Sequence, residues 1–496
     1  MSETQVLVVG GGPTGLVTAC QLALRGVGVR VIDKSDRFYG GSRADGIQPR
    51  TMEVFEDLGV VDKMLASGDL GILMKAYKGD EVVWEGRMTE PVEPTPALPY
   101  PNPWFVPQFR IEEILRERLA ELGVHVELST ALTDFTQDAD GVTATLGNGE
   151  TLRVEYLIGA DGGASTVRKT LGIAFPGETD ENAQVMFADA RVDGVNRDHG
   201  RMWQVGDSGA SVMPLAGTDL FVVVARPPSD PSEPVRDCVQ RQITEASGRA
   251  DIVVREVTWH TTWRPNTRLA ERFRDGRVFL AGDAGHVHPP TGGQGMNTGI
   301  GDGYNLGWKL AETLAGAPGV LLDSYEPERM AAARLALELS TALLEKHKRG
   351  DEDAHKRGPE LYGLTLNYRG GLLSRDDRPE PGTLVAGDRA PDAPVTTADG
   401  REARLFDLFH GPHWTLLSFG VTPDREFGPN LHVHPVLRAA GSSAVVDRDG
   451  HVRDAYDMAD GTFTLVRPDG YVGLVTSDVE QVAEYWAALH GAPASA

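Results

Sequence analysis

The segment from Gln5 to Asp33 constrains the fold of this chain most strongly. It reads QVLVVGGGPTGLVTACQLALRGVGVRVID. Its apolar start, Val6 to Val9, is typical of a strand that is buried on both faces of a parallel sheet. A helix is predicted from about Thr14 to Gly26, because small and apolar residues recur there at helical spacing and a glycine ends the run. A second apolar strand then leads to Asp33, so the segment predicts a strand–helix–strand unit.

The glycine turn inside this unit has the spacing of a dinucleotide-binding site. Gly10 permits the tight turn, Gly12 lets a pyrophosphate approach the backbone, and Gly15 lets the helix pack closely on the sheet. The helix start offers free N–H groups and a positive dipole end to an anion. Asp33 is placed to accept hydrogen bonds from an adenosine ribose, and its charge argues against a ribose phosphate. The motif alone does not separate FAD from NAD.

Composition limits the remaining classes. A chain of 496 residues should form two or three domains. It has 48 Lys and Arg against 72 Asp and Glu, a net charge of −24, which disfavours nucleic acid and anionic membranes as partners. Two cysteines, Cys20 and Cys238, lie in apolar or helical contexts and indicate buried thiols, with no disulfide and no metal site. No signal peptide or membrane helix is recognisable, so we expect a cytoplasmic enzyme.

The hydrophobic period divides the chain. Residues 1–175 and 271–350 alternate apolar strands with helices, whereas 176–270, together with part of 70–107, show the alternation of antiparallel strands. This pattern predicts an α/β, Rossmann-like domain in two parts with an inserted antiparallel sheet. Residues 351–383 are rich in Arg, Asp, Gly and Pro and suit a linker. Residues 384–496 form a strand-rich α/β module.

Two more glycine-rich turns follow predicted strands. In LIGADGGASTVR, Asp161 is placed either to orient a ribose or a cofactor-facing loop, or to cap the next helix. In AGDAGHVHPPTGGQGMN, the strand ending at Ala281 leads through Asp283 to a second glycine-rich helix start that favours an anion. Arg43, in a glycine loop, is placed to neutralise a phosphate or contact a flavin, or is simply a solvated loop residue.

Together, GGGPTG with Asp33, the ADG of 160–162 and the AGDAGH of 281–286 with PPTGGQGMN resemble the single-component, class A FAD-dependent aromatic hydroxylases, such as para-hydroxybenzoate and phenol hydroxylase. The resemblance covers essentially the whole chain and is strongest to bacterial hydroxylases of aromatic polyketides. It implies an FAD-binding domain of the GR2 type, a substrate-binding middle domain and a thioredoxin-like C-terminal domain.

The resemblance also implies the site residues. Arg43 would be the mobile-loop arginine, Asp161 would orient loops around FAD, Asp283 would bind the ribityl chain, and the backbone at Met296 and Asn297 would lie near the flavin N1/O2 edge. No catalytic base is assigned, and Arg43 and Pro290 are the flavin-side candidates. The implied cofactor-binding positions are Gly10, Gly12, Pro13, Thr14, Gly15, Asp33, Lys34, Arg43, Gln108, Asp161, Asp283, Pro290, Gly293, Gln294, Gly295, Met296 and Asn297.

Two pairs of residues have open interpretations. His286 and His288 lie beside the implied flavin edge, where they serve either as bases or, as we favour, in packing or hydrogen bonding. Met213 and Pro214, in the middle of the inserted sheet, are candidates for the substrate pocket wall, or pack as ordinary strand residues.

The implied reaction joins two half-reactions. NAD(P)H reduces FAD, and O₂ then adds to give a C4a-hydroperoxide whose distal oxygen is attacked by an electron-rich phenol or naphthol. Domain and loop closure would exclude water. The substrate would be a polycyclic aromatic of the polyketide type or a phenol, as in antibiotic biosynthesis. The resemblance implies NADPH as the donor, with NADH as the alternative, and the residues themselves do not decide between them. The sequence has no second GxGxxG domain for the nicotinamide nucleotide, as the resemblance leads one to expect.

The C-terminal module departs from thioredoxin. VRPDGY at 466–471 resembles the corresponding domain of phenol hydroxylase and its polyketide relatives. However, WTLLSFG is followed by VTPDREF, which contains no cysteine, so a dithiol function is excluded. The resemblance therefore implies a dimerisation or structural role, and a homodimer is one expectation.

Other functions compete with this interpretation. A flavin peroxide also supports Baeyer–Villiger oxidation and epoxidation. An NAD-linked dehydrogenase would use only the N-terminal unit, and a flavoprotein reductase would act without O₂. The stretch WHTTWRP lacks the WxWxIP arrangement of flavin-dependent halogenases. Three intact cofactor motifs argue against a non-enzymatic FAD-binding scaffold.

Overall fold

A six-stranded sheet surrounds the first strand in the computed structural model, which describes residues 4–180, 183–205, 208–349, 351, 354, 356–438 and 444–491. The predicted strands Val6–Val9 and Val29–Ile32 are confirmed and pair in parallel. Five of the six strands run parallel, and because the carboxyl ends of parallel strands meet at one edge of a sheet, the segments that follow these five strands converge there. In spatial order the strands are Arg274–Asp275, Val278–Leu280, Tyr156–Gly159, Val6–Val9, Val29–Ile32 and Val126–Glu127.

Two helices beside this sheet pack closely against each other. The predicted first helix is present as Pro13–Leu24, and it lies against Gly295–Leu314. A Cβ atom at Gly303 would overlap the Thr18 hydroxyl, and one at Gly307 would overlap the Gln21 side chain. Glycine at these two helical positions therefore permits the close approach. The other helices of this part are Pro49–Asp57, Val61–Ser67, Gln108–Glu121, Thr166–Thr170, Val320–Asp323 and Tyr325–Arg349.

Three small sheets connect the parts of the chain. One is a meander of Leu132–Gln137, Val142–Leu146 and Thr151–Val154. The second joins Gly46–Ile47 and Asp69–Leu70 through Trp104–Phe105. The third joins Gly177–Thr179, Asn266–Leu269 and His286–Val287. Short 3₁₀ turns lie at Gly282–Ala284 and Pro359–Leu361.

A seven-stranded sheet is formed by residues 73–86 and 185–263. The strand Asn266–Leu269 lies just beyond it and belongs to the third small sheet. The helix Val235–Ser247 covers one face of the large sheet. Two of its strands, Val185–Asp193 and Val253–Trp263, supply residues that reach the central cavity. In spatial order the seven strands are Val253–Trp263, Val185–Asp193, Phe221–Ala225, Ser208–Pro214, His199–Val205, Leu73–Lys78 and Glu81–Gly86.

The C-terminal part is built on an eight-stranded sheet. The segment 351–383 contributes its first strand, Arg375–Asp376, and buries Tyr368 and Leu373. In spatial order the strands are Arg375–Asp376, Val472–Thr476, Phe463–Val466, Trp414–Phe419, Leu431–Leu437, Val445–Val446, Pro394–Thr396 and Glu402–Arg404. Its helices are Leu405–Phe409, His451–Tyr456 and Val479–His490.

Buried charges join this part to the rest. Glu328, on the helix Tyr325–Arg349, lies 2.6 Å from the Lys309 ammonium and 2.8 Å from the Arg467 guanidinium. Arg467 in turn pairs with Asp469 at 2.6 Å. Because a buried charge without a partner is costly, these pairs fix how the two parts dock.

Both cysteines are buried and unpaired. Cys20 packs beneath the six-stranded sheet, and burial raises the pKa of its thiol to about 12, so this thiol is unreactive at neutral pH. Cys238 lies on the helix Val235–Ser247. None of the helices in the described part of the chain is both long and apolar enough to cross a bilayer.

Candidate active site

One cavity of about 1190 Å³ lies between the six-stranded and seven-stranded sheets. It exceeds the roughly 300–1,000 Å³ of a typical single-ligand pocket. Segments from both ends of the amino-terminal part border it. Of the positions predicted from sequence, it is lined by Gly12, Pro13, Thr14, Asp33, Arg43, Gln108, Asp283, Pro290, Gly293, Gly295 and Met296.

The three glycines of the first turn have different roles. Gly10 has a φ of +114°, and a Cβ atom there would overlap the Ala160 carbonyl. A Cβ atom at Gly15 would overlap the Gly10 carbonyl. In contrast, a Cβ atom at Gly12 would meet nothing within 4 Å. Packing therefore requires glycine at positions 10 and 15. In contrast, Gly12 faces open cavity space and leaves room for a ligand against the backbone.

Asp33 borders the cavity beside this turn. Its Oδ2 accepts the Gly11 N–H at 2.8 Å, and its Oδ1 accepts the Ser35 N–H at 2.8 Å. These bonds orient the carboxylate, and each oxygen keeps a second lone pair for a ribose hydroxyl. Lys34 does not share this location, because its side chain is exposed and lies outside the cavity lining.

The second glycine turn is held by Asn297. Its Nδ2 donates to the carbonyls of Gly46 at 2.9 Å and Gly293 at 2.7 Å, and its Oδ1 accepts the Gln48 N–H at 2.9 Å. Gln294 donates to Gly292 and Leu361 carbonyls. Neither Asn297 nor Gln294 is on the cavity lining. Their side chains shape the turn, and the cavity is bordered by the neighbouring residues.

A buried network supports the turn that carries Asp283. Asp302 accepts the Gly282 N–H at 2.8 Å and pairs with His286 and Arg329, each at 2.7 Å. Burial alone would raise the pKa of Asp302, but Arg329 and His286 lower it. His286 is thus a hydrogen-bonding residue behind the turn. Asp283 borders the cavity, where desolvation raises the pKa of its carboxyl group.

Asp161 caps a helix in this structure. Its Oδ1 accepts the Ser165 hydroxyl at 2.5 Å, and its Oδ2 accepts the N–H groups of Thr166 at 2.6 Å and Val167 at 3.2 Å. It lies outside the cavity lining, which is instead reached by the adjacent Ala160. Of the two roles that the sequence left open for Asp161, the structure therefore has the helix cap, because three nearby donors occupy its carboxylate.

Met213 and Pro214 also lie away from the cavity. Their strand, Ser208–Pro214, is separated from Val185–Asp193 by Phe221–Ala225. The large sheet instead contributes to the cavity wall from its edge strand and the neighbouring strand, through Phe187, Thr258, Trp259 and Trp263. Strand order, which decides this, depends on pairing between distant segments that sequence reasoning did not reach.

Two cavity carboxyl groups were missed by sequence reasoning. Burial raises the pKa of Asp45 to about 6 and that of Glu112 to about 7. Both border the cavity, and Gln108 Nε2 donates to Glu112 Oε1 at 2.8 Å. The i, i+4 spacing of Gln108 and Glu112 was a usable signal, since such residues share one helix face. Among the described residues, no cluster of His, Cys, Asp and Glu is arranged to hold a metal ion.

His288 borders the same cavity. Burial lowers the pKa of its imidazole to about 4, an effect that the Pro289 backbone only partly opposes. Neither ring nitrogen makes a hydrogen bond of normal geometry to the described residues. The ring is therefore neutral at pH 7, and both of its nitrogens are buried.

The fold and this cavity define a nucleotide-cofactor oxidoreductase with space for a second ligand. Residues 3–340 match the FAD binding domain family, and residues 383–493 match the C-terminal domain of aromatic-ring hydroxylases. The chain belongs to the FAD-dependent aromatic-ring hydroxylase family and is a flavin-dependent monooxygenase.

Individual relatives agree with this assignment. The chain is 42% identical to a flavin-dependent monooxygenase of Mycobacteroides abscessus, over 97% of this chain and 99% of the relative. It is 36% identical to the 12-dehydrotetracycline 5-monooxygenase/anhydrotetracycline 6-monooxygenase of Streptomyces rimosus subsp. rimosus, over 94% of each chain. The crystal structure of the flavin-dependent monooxygenase PieE with FAD and substrate superimposes with a TM-score of 0.84 at 25% identity, covering 99% of both chains.

Proposed function

We propose that this monooxygenase uses NADPH, or NADH, and O₂ to hydroxylate a flat aromatic substrate, either a polycyclic aromatic of the polyketide type or a phenol. The observation that carries the proposal is one continuous cavity with the glycine turns on one side and aromatic side chains on the other. The tetracycline-modifying relative supports the polycyclic substrate class.

The glycine side of the cavity fits FAD. The start of the helix Pro13–Leu24 would hold the pyrophosphate against Gly12, and Asp33 would bind the adenosine ribose. Asp283 would bind the ribityl chain, and the helix start at Gly295–Leu314 would stabilise negative charge on the ring. Bound FAD would carry electrons from the nicotinamide donor and activate O₂.

The opposite wall suits a planar ring system. Phe105, Phe187, Trp259 and Trp263 present aromatic faces or edges that favour stacked or edge-to-face contacts. Asp45 lies on the same cavity, and with a pKa of about 6 its carboxyl group is ionised at pH 7. We propose that it accepts a proton from a phenolic hydroxyl, which makes the ring more electron-rich.

The test is product formation by the purified FAD-loaded enzyme. NADPH and NADH oxidation would be measured with a panel of aromatic polyketides and simple phenols under isotopically labelled O₂. We expect at least one compound to raise oxidation and to gain one labelled oxygen, with NMR placing a hydroxyl on a ring carbon. Oxygen inserted into a C–C bond, or no labelled product with any compound, would contradict the proposal.

A matched pair of variants tests the aromatic wall. Trp263→Ala should raise KM for the accepted substrate about tenfold or more, because burial of a large aromatic surface is lost. Trp84→Ala, on the edge strand Glu81–Gly86 and outside the cavity lining, is the control and should leave KM unchanged. Equal effects of both substitutions would argue against substrate contact at Trp263.

We also infer a structural role for the C-terminal part, with a thioredoxin-like fold. Both cysteines of the chain precede residue 384, so no dithiol can form there. The buried ion pairs around Glu328 support docking against the FAD-binding part. Light scattering coupled to gel filtration would test the homodimer.

A further inference from the structure

A buried hydrogen-bond pair joins the loop before Arg43 to the seven-stranded sheet. The Asp189 carboxylate accepts the Ser42 N–H at 2.9 Å and the Ser42 hydroxyl at 2.5 Å. Asp189 is 1% exposed and Ser42 is 4% exposed. Hydrogen bonds to a buried carboxylate are strong, so this contact anchors the loop to a segment 147 residues away.

The surrounding strand is shaped for this contact. The pairing of Val185–Asp193 with Val253–Trp263 shifts register between Asp189 and Ala190. Such irregularities redirect a side chain from its regular alternation. Thr258 also donates to the Asp189 carbonyl at 3.1 Å, which holds the irregular strand in place.

A second contact lies beside the first. A Cβ atom at Gly41 would overlap the Trp259 ring, so only glycine allows the loop to lie directly on the indole. Tyr39 packs edge-on against the same indole, with ring centroids 5.5 Å apart. The loop therefore meets the sheet through hydrogen bonds and through close packing.

The same segment is anchored again a few residues later. The Gly46 carbonyl and the Gln48 N–H both bond to Asn297, at the start of the helix Gly295–Leu314. Arg43 and Asp45 lie between the two anchors and border the cavity. Their positions thus depend on one contact to the large sheet and one to the cofactor side.

We propose that Asp189 is a positioning residue, which through Ser42 sets where Arg43 and Asp45 lie in the active-site cavity. It does not border the cavity itself. The effect of Asp189 on turnover rests on the proposed function, but the contact between Asp189 and Ser42 can be measured without a substrate.

Trypsin cleavage of the FAD-loaded enzyme reads out the anchor directly. Both arginine side chains are exposed, but trypsin must bind several extended residues around the bond that it cleaves. Cleavage after Arg43 therefore requires the buried Ser42 to leave Asp189, whereas Arg37 lies outside the anchor and serves as an internal reference. We expect Asp189→Asn to raise the ratio of cleavage after Arg43 to cleavage after Arg37 about tenfold, the factor for loss of one hydrogen bond to a charged group. Mass spectrometry of the fragments gives the ratio.

Three further variants separate positioning from general destabilisation. Ser42→Ala should raise the same ratio, and Ser42→Thr, which keeps the hydroxyl, should restore it. Asp447→Asn is the matched control, because Asp447 is a buried aspartate that accepts the Val452 and Arg453 N–H groups in the C-terminal part. An unchanged ratio in Ser42→Ala, or an equal rise in Asp447→Asn, would overturn the proposal. Either result would leave the proposed reaction intact, since no turnover is measured.

Discussion

Asn297 accepts the backbone N–H of Gln48 at 2.9 Å, although the two residues are 249 positions apart in the chain. The same side chain donates to the Gly46 and Gly293 carbonyls. One amide therefore ties the second glycine turn to the segment that carries Asp45. This contact gives the cavity a common wall built from both parts of the FAD-binding fold.

Asn297→Ala removes all three of these hydrogen bonds. We expect the free energy of unfolding to fall by about 2–4 kcal/mol, because buried backbone groups lose their partners, and FAD affinity to fall as the turn loosens. Chemical denaturation and titration of flavin fluorescence would measure the two effects. Asn102→Ala, which removes a similar bridge to Val92 on an exposed loop, should change neither appreciably.

Gly12→Ala and Gly15→Ala should affect different properties, namely FAD affinity for the first and fold stability for the second. Gly12 has open space at its Cβ position and a φ of −79°, so alanine should leave the FAD-free protein as stable as before and weaken FAD binding about tenfold or more. Gly15→Ala should destabilise the fold itself, because its methyl group overlaps the Gly10 carbonyl. Thermal unfolding without FAD distinguishes them, and similar Tm losses in both would contradict the assigned roles.

Asp45→Asn should stabilise the FAD-free protein at pH 7. The folded state raises the pKa of Asp45 from 3.8 to about 6, so folding binds a proton more tightly, and stability falls as pH rises from about 4 to about 6. The resulting cost above pH 6 is on the order of 3 kcal/mol, and asparagine removes it. Unfolding measured at about pH 3.5 and about pH 7, on either side of this pH window, should show a gain in stability only at the higher pH. A gain of equal size at both values would show that ionisation is not the cause.

Glu328→Gln should loosen the docking of the C-terminal part. The substitution leaves Lys309 and Arg467 buried without their shared counter-ion, which costs about 3–5 kcal/mol. The pKa of Glu328 is lowered to about 2, since Arg467 and Lys309 outweigh the desolvation that would raise it, so the pair should survive mild acid. Asp399→Asn breaks an exposed pair with Arg401 and is the control, which should leave the free energy of unfolding from chemical denaturation nearly unchanged because solvent screens this pair.

Sequence patterns within a few residues were enough to predict two strands of the six-stranded sheet that carries the glycine turns. The strands Val6–Val9 and Val29–Ile32 were predicted to the residue, because buried apolar runs with glycine at their ends leave few alternatives. Several site assignments were not decided locally. Asp161 had two interpretations from sequence, and only the positions of its donors showed that it caps a helix.

The sequence by itself determined the glycine turn, the acid that ends the second strand and the alternation that marks the large sheet, because each depends on neighbours within a few residues. Tertiary structure alone decided which side chains share the cavity. Trp259 and Trp263 reach it while Met213 and Pro214 do not, since strand order sets their distance from it. Asp189 meets Ser42 only because pairing between distant strands places a register shift beside the loop.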